Sequence, residues 1–180
     1  MRALADAGRV RELMRALGRG TREPASVYFT GGATAVLYGW RDSTADVDLR
    51  LEPDRDEILK ALVDLKERLS INIELASPQD FVPVSDDWRA RSPFIERQGA
   101  ISFHHFDLYA QALSKTERHH AQDVEDVRAM LRLGLIEPQE MLRYHARVAP
   151  LLHRYPSLDP DALREAVEGL FGAQRSTGEA

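Results

Sequence analysis

The segment that most constrains the fold is residues 27–52, where three kinds of periodicity follow one another. The apolar run "VYFT" predicts a short buried strand, and the pair Gly31-Gly32 predicts a turn at its end. The residues that follow, "ATAVLYGW", return to helical spacing. From residue 45 the sequence "ADVDLRLE" alternates between apolar and polar side chains, which predicts a second strand with one buried face. The segment therefore predicts a strand, a glycine turn, a helix and another strand.

Two acidic residues occupy the polar face of the second predicted strand. Asp46 and Asp48 are separated by one residue, so their side chains project from the same face, about 6.5–7 Å apart. Two carboxylates at this distance repel each other and resist desolvation, and a divalent cation offsets both costs. A site made only of oxygen ligands favours Mg²⁺ or Mn²⁺. The alternative is a solvated strand face, which is the more frequent meaning of such a pair considered by itself.

The rest of the chain predicts further strands and a helical C-terminal part. An amphipathic helix ends near Gly18, and Pro53 opens another helix. The sequence "INIEL" alternates and places Glu74 on its polar face, and "AISFHHFDL" predicts one more strand. Residues 77–99 are rich in Pro, Asp and Ser and predict a long loop or lid. From residue 107 onward the spacing is helical.

These elements predict an α/β (α+β) fold: a small, mixed, twisted sheet flanked by helices, with the acids on one face and a C-terminal helical subdomain. The expected division is an α/β core over residues 1–106 and a helical subdomain over residues 107–175. A length of 180 residues suits one such protein and is enough to bury a sizeable core.

Composition excludes several classes of protein. The absence of cysteine excludes disulfide scaffolds, zinc–thiolate sites and cysteine nucleophiles. Adjacent histidines at 104–105 and 119–120 would point in different directions on a strand or a helix, which argues against a histidine-rich zinc site. The N-terminal arginines exclude a signal peptide or a membrane span there, so we expect a cytoplasmic protein without a membrane partner. A net charge of −5 argues against a surface that grips nucleic acid as a whole, but it leaves RNA open as a partner.

The glycine pair gives the two aspartates a chemical context. A Gly-Gly turn between a strand and a helix lets backbone amides and the helix N-terminus approach a phosphate closely, although most such pairs are only tight turns. The sequence contains no G-x-x-x-x-G-K-[ST] loop, no G-x-G-x-x-G after a strand and no G-x-S-x-G elbow. The stretch "DSTADVDLRLEP" also lacks the glycine and the glutamate that a calcium loop requires.

A family resemblance follows from these motifs. The stretch "TGGATAVLYGWRDSTADVDL" resembles the signature of the nucleotidyltransferase fold, the polymerase-beta-like superfamily. In that signature Gly-[Gly/Ser] is followed, after nine to thirteen residues, by Asp-x-[Asp/Glu]; here thirteen residues separate Gly32 from Asp46. The likeness covers roughly residues 25–135 and extends to bacterial toxin-type and abortive-infection nucleotidyltransferases. Those proteins have a lysine followed about eight residues later by an aspartate, here Lys115 and Asp123.

The resemblance implies a role for each of these residues. Asp46, Asp48 and Glu74 would hold two Mg²⁺ (or Mn²⁺) ions, Glu74 matching a third carboxylate on a neighbouring strand, and Lys115 would complete the catalytic set. Glu74, or Asp48 with it, would activate the acceptor hydroxyl. The implied nucleotide-binding set is Thr30, Gly31, Gly32, Arg41, Ser43, Lys115 and Asp123.

Structural alternatives stay open for several of these residues. Glu74 could be the polar side of an edge strand, Lys115 with Asp123 could be a solvated pair between adjacent helices, and Arg41 could belong to a turn. Only the positions of these side chains in the fold can separate the alternatives.

The expected function is a metal-dependent nucleotidyltransferase that moves a nucleoside monophosphate from a nucleoside triphosphate to a hydroxyl of tRNA, a protein or a small molecule. Such a protein could be the toxin of a toxin–antitoxin pair, with an antitoxin as partner. The competing expectation is a catalytically inactive protein of the same fold that binds a nucleotide or an antitoxin partner. The sequence argues mildly against it, because a protein without catalysis gains nothing from holding three acids together.

Overall fold

The computed structural model describes residues 3–172, which form two compact units. The first contains the described residues up to Ser77 together with Ser92–Phe106, and the second contains Pro78–Arg91 and the described residues from Asp107 on. This division differs from the expected one in residues 78–91, which belong to the second unit. Residues 173–175 of the expected helical subdomain lie outside the described residues.

The first unit is built on one mixed sheet. The strands found among its described residues are β1 Ala25–Thr30, β2 Asp46–Glu52, β3 Asn72–Leu75, β4 Phe94–Gln98 and β5 Ile101–His105. They lie in the order β3-β2-β1-β5-β4. β1 is antiparallel to β2 and parallel to β5, β2 is parallel to β3, and β4 is antiparallel to β5. The mixed sheet confirms the predicted α/β (α+β) class.

Three helices of the same unit flank the sheet: α1 Ala7–Gly20, α2 Gly31–Tyr38 and α3 Asp56–Arg68. The side chain of Asp6 caps α1 by accepting a hydrogen bond of 2.8 Å from the Arg9 amide. α3 begins at Asp56, three residues after the predicted start at Pro53. Apolar side chains from these helices and from the buried sheet face form the core, which includes Leu13, Val47, Leu49, Ile58 and Phe103.

The loop or lid predicted for residues 77–99 is wrong in part. Its C-terminal end is the strand β4, which turns directly into β5, and its N-terminal end contains a 3₁₀ turn, Pro78–Asp80. β4 is an edge strand that lacks the alternation of β2: Phe94 is 61% exposed, and the pairing shifts register between Phe94 and Glu96. A strand without one buried face leaves no two-residue period in the sequence, so periodicity could not reveal it.

The second unit is helical, as the spacing after residue 107 predicts. Its described helices are α4 Leu108–Arg118, α5 Ala121–Arg132, α6 Pro138–Val148, the 3₁₀ helix Ala149–Arg154 and α7 Pro160–Phe171. Asp159 accepts hydrogen bonds from the amides of Asp161 and Ala162 at the start of α7. Gly134, two residues after α5, has φ +66°, which suits a helix exit.

No helix within residues 3–172 combines the length and the apolar character that a membrane crossing requires.

Candidate active site

The polar face of β2 holds the two predicted aspartates. Asp46 and Asp48 alternate with the buried Val47 and Leu49, and both acids are half-buried. The alternation places their side chains on the same face of the sheet. Arg50 and Glu52 continue this face and pair with each other, with 3.0 Å between the Arg50 Nη2 and Glu52 Oε1 atoms.

Glu74 lies beside this pair on the neighbouring strand. The parallel register of β2 and β3 sets Asp48 opposite Glu74 and Asp46 opposite Asn72. In-register residues of adjacent strands project from the same face, so Asp46, Asp48 and Glu74 share one face of the sheet. Glu74 is exposed, in contrast to the two half-buried aspartates.

The side chain of Asn72 connects two of the three acids. Its Nδ2 atom donates to Asp46 Oδ1 at 2.6 Å and to Glu74 Oε1 at 2.8 Å. Because both acceptors are carboxylate oxygens, the amide nitrogen and not the amide oxygen must face them. Asn72 therefore draws carboxylates from β2 and β3 toward one point.

The glycine turn meets the acids at Gly31. Gly31 begins α2 with φ +57°, and a Cβ atom placed there would lie 2.9 Å from Asp48 Oδ2. Thr30, directly before it, is opposite Asp48 in the antiparallel register of β1 and β2. The backbone conformation therefore favours glycine at position 31, and a Cβ atom there would displace the Asp48 carboxylate.

Gly32 has a different reason to be glycine. A Cβ atom at Gly32 would lie 2.6 Å from Cβ of Thr44 and would overlap the Thr44 hydroxyl. The Oγ1 atom of Thr44 donates to the backbone oxygen of Asp46 at 3.0 Å. The second glycine thus lets the chain that leads into β2 pack against the first turn of α2.

The remaining residues predicted to bind nucleotide in this unit lie directly before α2 and in the segment that follows it. Thr30 is buried and is the N-cap residue of α2, although its side chain makes no capping hydrogen bond. Arg41 and Ser43 are half-buried in the segment that connects α2 to β2. Their nucleotide-binding roles stay predictions.

Lys115 and Asp123 belong to a buried charge cluster in the second unit. Lys115 on α4 is 4% exposed, and its Nζ atom lies 2.6 Å from Asp126 Oδ2 and 3.5 Å from Asp123 Oδ1, both on α5. Arg118 donates to Asp123 at 2.8 Å. The alternative of a solvated pair is wrong, because these charges are buried. The catalytic role of Lys115 stays a prediction, and its closest acidic partner is Asp126.

The adjacent histidines of β5 serve packing. His104 stacks on Tyr28, with 5.0 Å between ring centroids, and His105 stacks on Tyr38 at 4.3 Å. Burial lowers the pKa of His105 to about 4. The Thr34 hydroxyl donates to the Phe29 carbonyl, so it accepts the hydrogen of His105 Nδ1 at 3.2 Å. His105 is therefore a neutral core residue at neutral pH.

The three acids provide hard oxygen ligands, but they do not yet form a closed metal site. Among residues 3–172, no group of three or more His, Asp or Glu side chains has an arrangement that could hold a metal ion. Mg²⁺ is commonly bound by one or two carboxylates together with substrate phosphates and water. The pair Asp46 and Asp48, of which Asp48 lies beside the N-terminus of α2, fits that incomplete kind of site.

The sequence patterns place Asn72 on the polar face of β3 and Asp126 next to Asp123, but they assign neither residue a role. Asn72 follows the same two-residue spacing as Glu74, so its place on the polar face was readable, but its bonds to both carboxylates were not. Asp126 lies three residues after Asp123, and one helical turn brings both to Lys115. Sequence spacing alone does not tell which of two aspartates lies closer.

A comparison with known protein families shows to which family the chain belongs. The model of a family described as a nucleotidyltransferase of unknown function (DUF6036) matches residues 8–159. The match covers most of the chain, so the protein belongs to this family. This confirms the nucleotidyltransferase superfamily expected from the glycine pair and the two aspartates, whereas the toxin-type branch stays a prediction. No curated protein and no solved structure matches the chain.

Proposed function

We propose that this protein is a divalent-cation-dependent nucleotidyltransferase that transfers a nucleoside monophosphate from a nucleoside triphosphate to a hydroxyl group and releases pyrophosphate. The position of Asp48 carries the proposal. Asp48 lies opposite Glu74 in the strand register and on the same face as Asp46, and its carboxylate lies next to Gly31. A tight turn and a solvated strand face would not by themselves require three acids to lie together beside the glycine turn.

The donor set suits Mg²⁺ or Mn²⁺. Asp46 and Asp48 would hold the ion from β2, and Glu74, on the same face of β3, would join them only when substrate phosphates and water complete the site. When bound, such an ion neutralises charge on the reacting phosphates and on the attacking oxygen. The half-burial of the two aspartates strengthens their attraction for a cation relative to fully solvated carboxylates.

The residues of the glycine turn would position the triphosphate. The N-terminus of α2, the positive end of the helix dipole, lies beside Asp48, and Gly31 keeps side-chain atoms out of the space next to the Asp48 carboxylate. Arg41 and Ser43 lie in the segment that leads from α2 to β2, and we include them as contacts to the nucleotide. This chain therefore supplies orientation and charge rather than a covalent nucleophile.

The exposed Glu74 would receive the proton of the acceptor. Its carboxylate lies at the solvent side of the three acids, where an incoming hydroxyl can reach it, while Asn72 holds its Oε1 atom. A tRNA end, a protein side chain or a small molecule all offer such a hydroxyl. A toxin role with an antitoxin partner is compatible with this chemistry.

Transfer of label from α-³²P nucleoside triphosphates tests the proposal. The purified protein would be incubated with each triphosphate, with Mg²⁺ or Mn²⁺, and with total tRNA or cellular protein, while pyrophosphate release is followed. We expect label transfer that chelation with EDTA abolishes and that D48N lowers at least 100-fold. The matched control is E52Q, a change of a carboxylate on the same face of β2 that pairs with Arg50 and should keep activity.

The competing function is a nucleotidyltransferase-fold protein that binds without turnover. The lack of a three-residue metal group among residues 3–172 favours it. Calorimetry with Mg²⁺ and each triphosphate separates the two functions. Nucleotide binding without label transfer or pyrophosphate release, across tRNA, protein and small-molecule acceptors, would assign the protein to the binding class and overturn the proposal.

A further inference from the structure

Asn72 has an environment that a simple polar strand residue does not require. It is half-buried on β3, opposite Asp46 and two residues before Glu74 on the same face. Its amide nitrogen carries two hydrogens, and they are directed to carboxylates on two different strands at 2.6 Å and 2.8 Å. A residue that only presented a polar face to water would show no such convergence.

The bonds from Asn72 reduce the repulsion between the acids. Asp46 and Glu74 occupy diagonal positions on neighbouring strands, so their carboxylates repel, and without a donor between them they would turn apart into solvent. Hydrogen bonds to ionised groups are stronger than those between neutral groups, so one amide that donates to both acids holds each in place. The amide does this without adding charge.

The same bonds occupy only one oxygen of each carboxylate. Asn72 contacts Oδ1 of Asp46 and Oε1 of Glu74, so Oδ2 and Oε2 lie outside this pair of bonds. A carboxylate can accept one hydrogen bond and still offer its second oxygen to an ion. Residues that orient metal-binding side chains in this way commonly contribute a factor of 10 to 100 in affinity.

We infer that Asn72 is a positioning residue of the active site: its side-chain amide aligns the carboxylates of Asp46 and Glu74 for a divalent cation. The inference rests on the proposed function, and it adds a residue that contacts neither the nucleotide nor the reacting atoms. Loss of the amide weakens cation binding while the ligands themselves are kept.

The direct test is the affinity of the nucleotide-free protein for Mn²⁺, measured by calorimetry and by the electron paramagnetic resonance signal of the free ion. We expect N72A to raise the Kd for Mn²⁺ at least tenfold. N72Q keeps an amide on a longer side chain and should recover part of the affinity. N72S offers a second variant if N72A does not fold, which circular dichroism would reveal.

Gln98 provides a matched control. Its Nε2 atom donates to Glu96 Oε1 at 2.9 Å, from a residue two positions further along β4, so it makes the same kind of amide–carboxylate contact away from the acids. Q98A should leave the Kd for Mn²⁺ unchanged. An equal loss of affinity in both variants would mean that any weakened strand lowers cation binding, and it would overturn the inference.

A readout of turnover separates positioning from a general structural role. In N72A, the Mg²⁺ concentration for half-maximal label transfer should rise by the same factor as the Kd, with kcat at saturating Mg²⁺ within about twofold of wild type. A lower kcat that Mg²⁺ does not restore would contradict the inference.

The failure of this inference is distinguishable from the failure of the proposed function. If the wild-type protein binds no Mn²⁺, with or without a nucleoside triphosphate, the cation-dependent function fails and the role of Asn72 fails with it. If wild type binds Mn²⁺ and N72A binds it equally well, only the inference about Asn72 is overturned.

Discussion

Gly31 is the residue at which the backbone requirement and the chemistry of the site meet. Its φ of +57° already disfavours any residue with a Cβ atom, and the place of that atom lies 2.9 Å from Asp48 Oδ2. We predict that G31A lowers the free energy of unfolding by about 1–2 kcal/mol, the typical cost of a left-handed residue. It should also displace the Asp48 carboxylate, so the Kd for Mn²⁺ should rise at least tenfold, as measured by calorimetry.

The matched control is Gly39, at the other end of α2. It has φ +86°, but nothing lies within 4 Å of the place of its Cβ atom. G39A should therefore show a comparable loss of stability with no change in cation affinity. If the two variants lost cation affinity equally, backbone strain in α2 and not the contact with Asp48 would be the cause.

His105 predicts how stability depends on pH. Burial, with a smaller contribution from His104, lowers its folded-state pKa to about 4, whereas a histidine in the unfolded chain has a pKa of about 6.5. As pH falls below 6.5, the unfolded state takes up a proton before the folded state does, so stability is lost between pH 6.5 and 4. From pH 7 to pH 5 we expect a loss of about 2 kcal/mol that H105Q does not show.

Urea unfolding of both proteins at the two pH values measures this difference. H120Q removes an exposed histidine and is the control for the loss of an imidazole as such. His104 also has its pKa lowered by burial and remains in both proteins, so the comparison isolates His105. Parallel pH profiles for wild type and H105Q would contradict the assignment of His105 as a buried neutral residue.

At the scale of whole elements, the sequence predicts those that bury one face and misses those that do not. β2 and β3 were readable because Val47, Leu49 and Ile73 point into the core while the acids alternate with them. The parallel pairing that sets Asp48 opposite Glu74 depends on contacts between distant residues, which no local pattern encodes. β4 was missed because its edge position leaves Phe94 exposed and its pairing irregular.

The pairing of α4 with α5 depends on a buried ion pair. Lys115 and Asp126 are 2.6 Å apart, with Asp126 fully buried. We predict that K115M lowers the free energy of unfolding by about 3–5 kcal/mol, because it leaves the Asp126 charge buried without its ammonium partner. The double variant K115M/D126L removes both charges and should recover most of that loss, as measured by urea unfolding.

The same variants test whether Lys115 has a role beyond stability. The resemblance implies that Lys115 binds the nucleotide, so we expect K115M/D126L to fold and to bind nucleoside triphosphates more weakly than wild type does. A folded double variant with unchanged affinity would instead show that the ammonium group of Lys115 serves only the two buried aspartates. The control is E125A/R128A, an exposed pair on α5 whose loss should cost less than about 0.5 kcal/mol.

At the scale of the whole molecule, the helical C-terminal part of the sequence shares its compact unit with an earlier segment. Residues 78–91 lie between two strands of the first unit in sequence, yet they belong to the second unit. Arg91 donates a hydrogen bond to the buried Asp107 at 3.1 Å, and the Tyr144 hydroxyl accepts one from the Ser85 amide at 3.3 Å. The composition of this segment predicts a loop. Its place in the second unit is fixed by contacts between residues far apart in sequence, which no local pattern reveals.

We therefore predict that a fragment of residues 107–180 does not fold by itself and that a peptide of residues 78–91 restores it. Without the peptide, the carboxylate of Asp107, whose pKa burial raises, lacks its arginine, and the carbonyl of Gln79 no longer accepts from Tyr155. Trp88 is buried and shares a cleft with Leu151 and Tyr155, and it is the only tryptophan of the mixture.

The fluorescence emission of Trp88 should shift to the blue when the peptide binds, and the helical circular dichroism of the fragment should increase. A peptide with the change R91A is the control and should bind at least tenfold more weakly, because it leaves Asp107 without its partner. A fragment that shows native helical content without peptide, with no shift of Trp88 emission, would contradict the prediction. It would also show that the helices alone carry the folding information of the second unit, which the buried Asp107–Arg91 pair argues against.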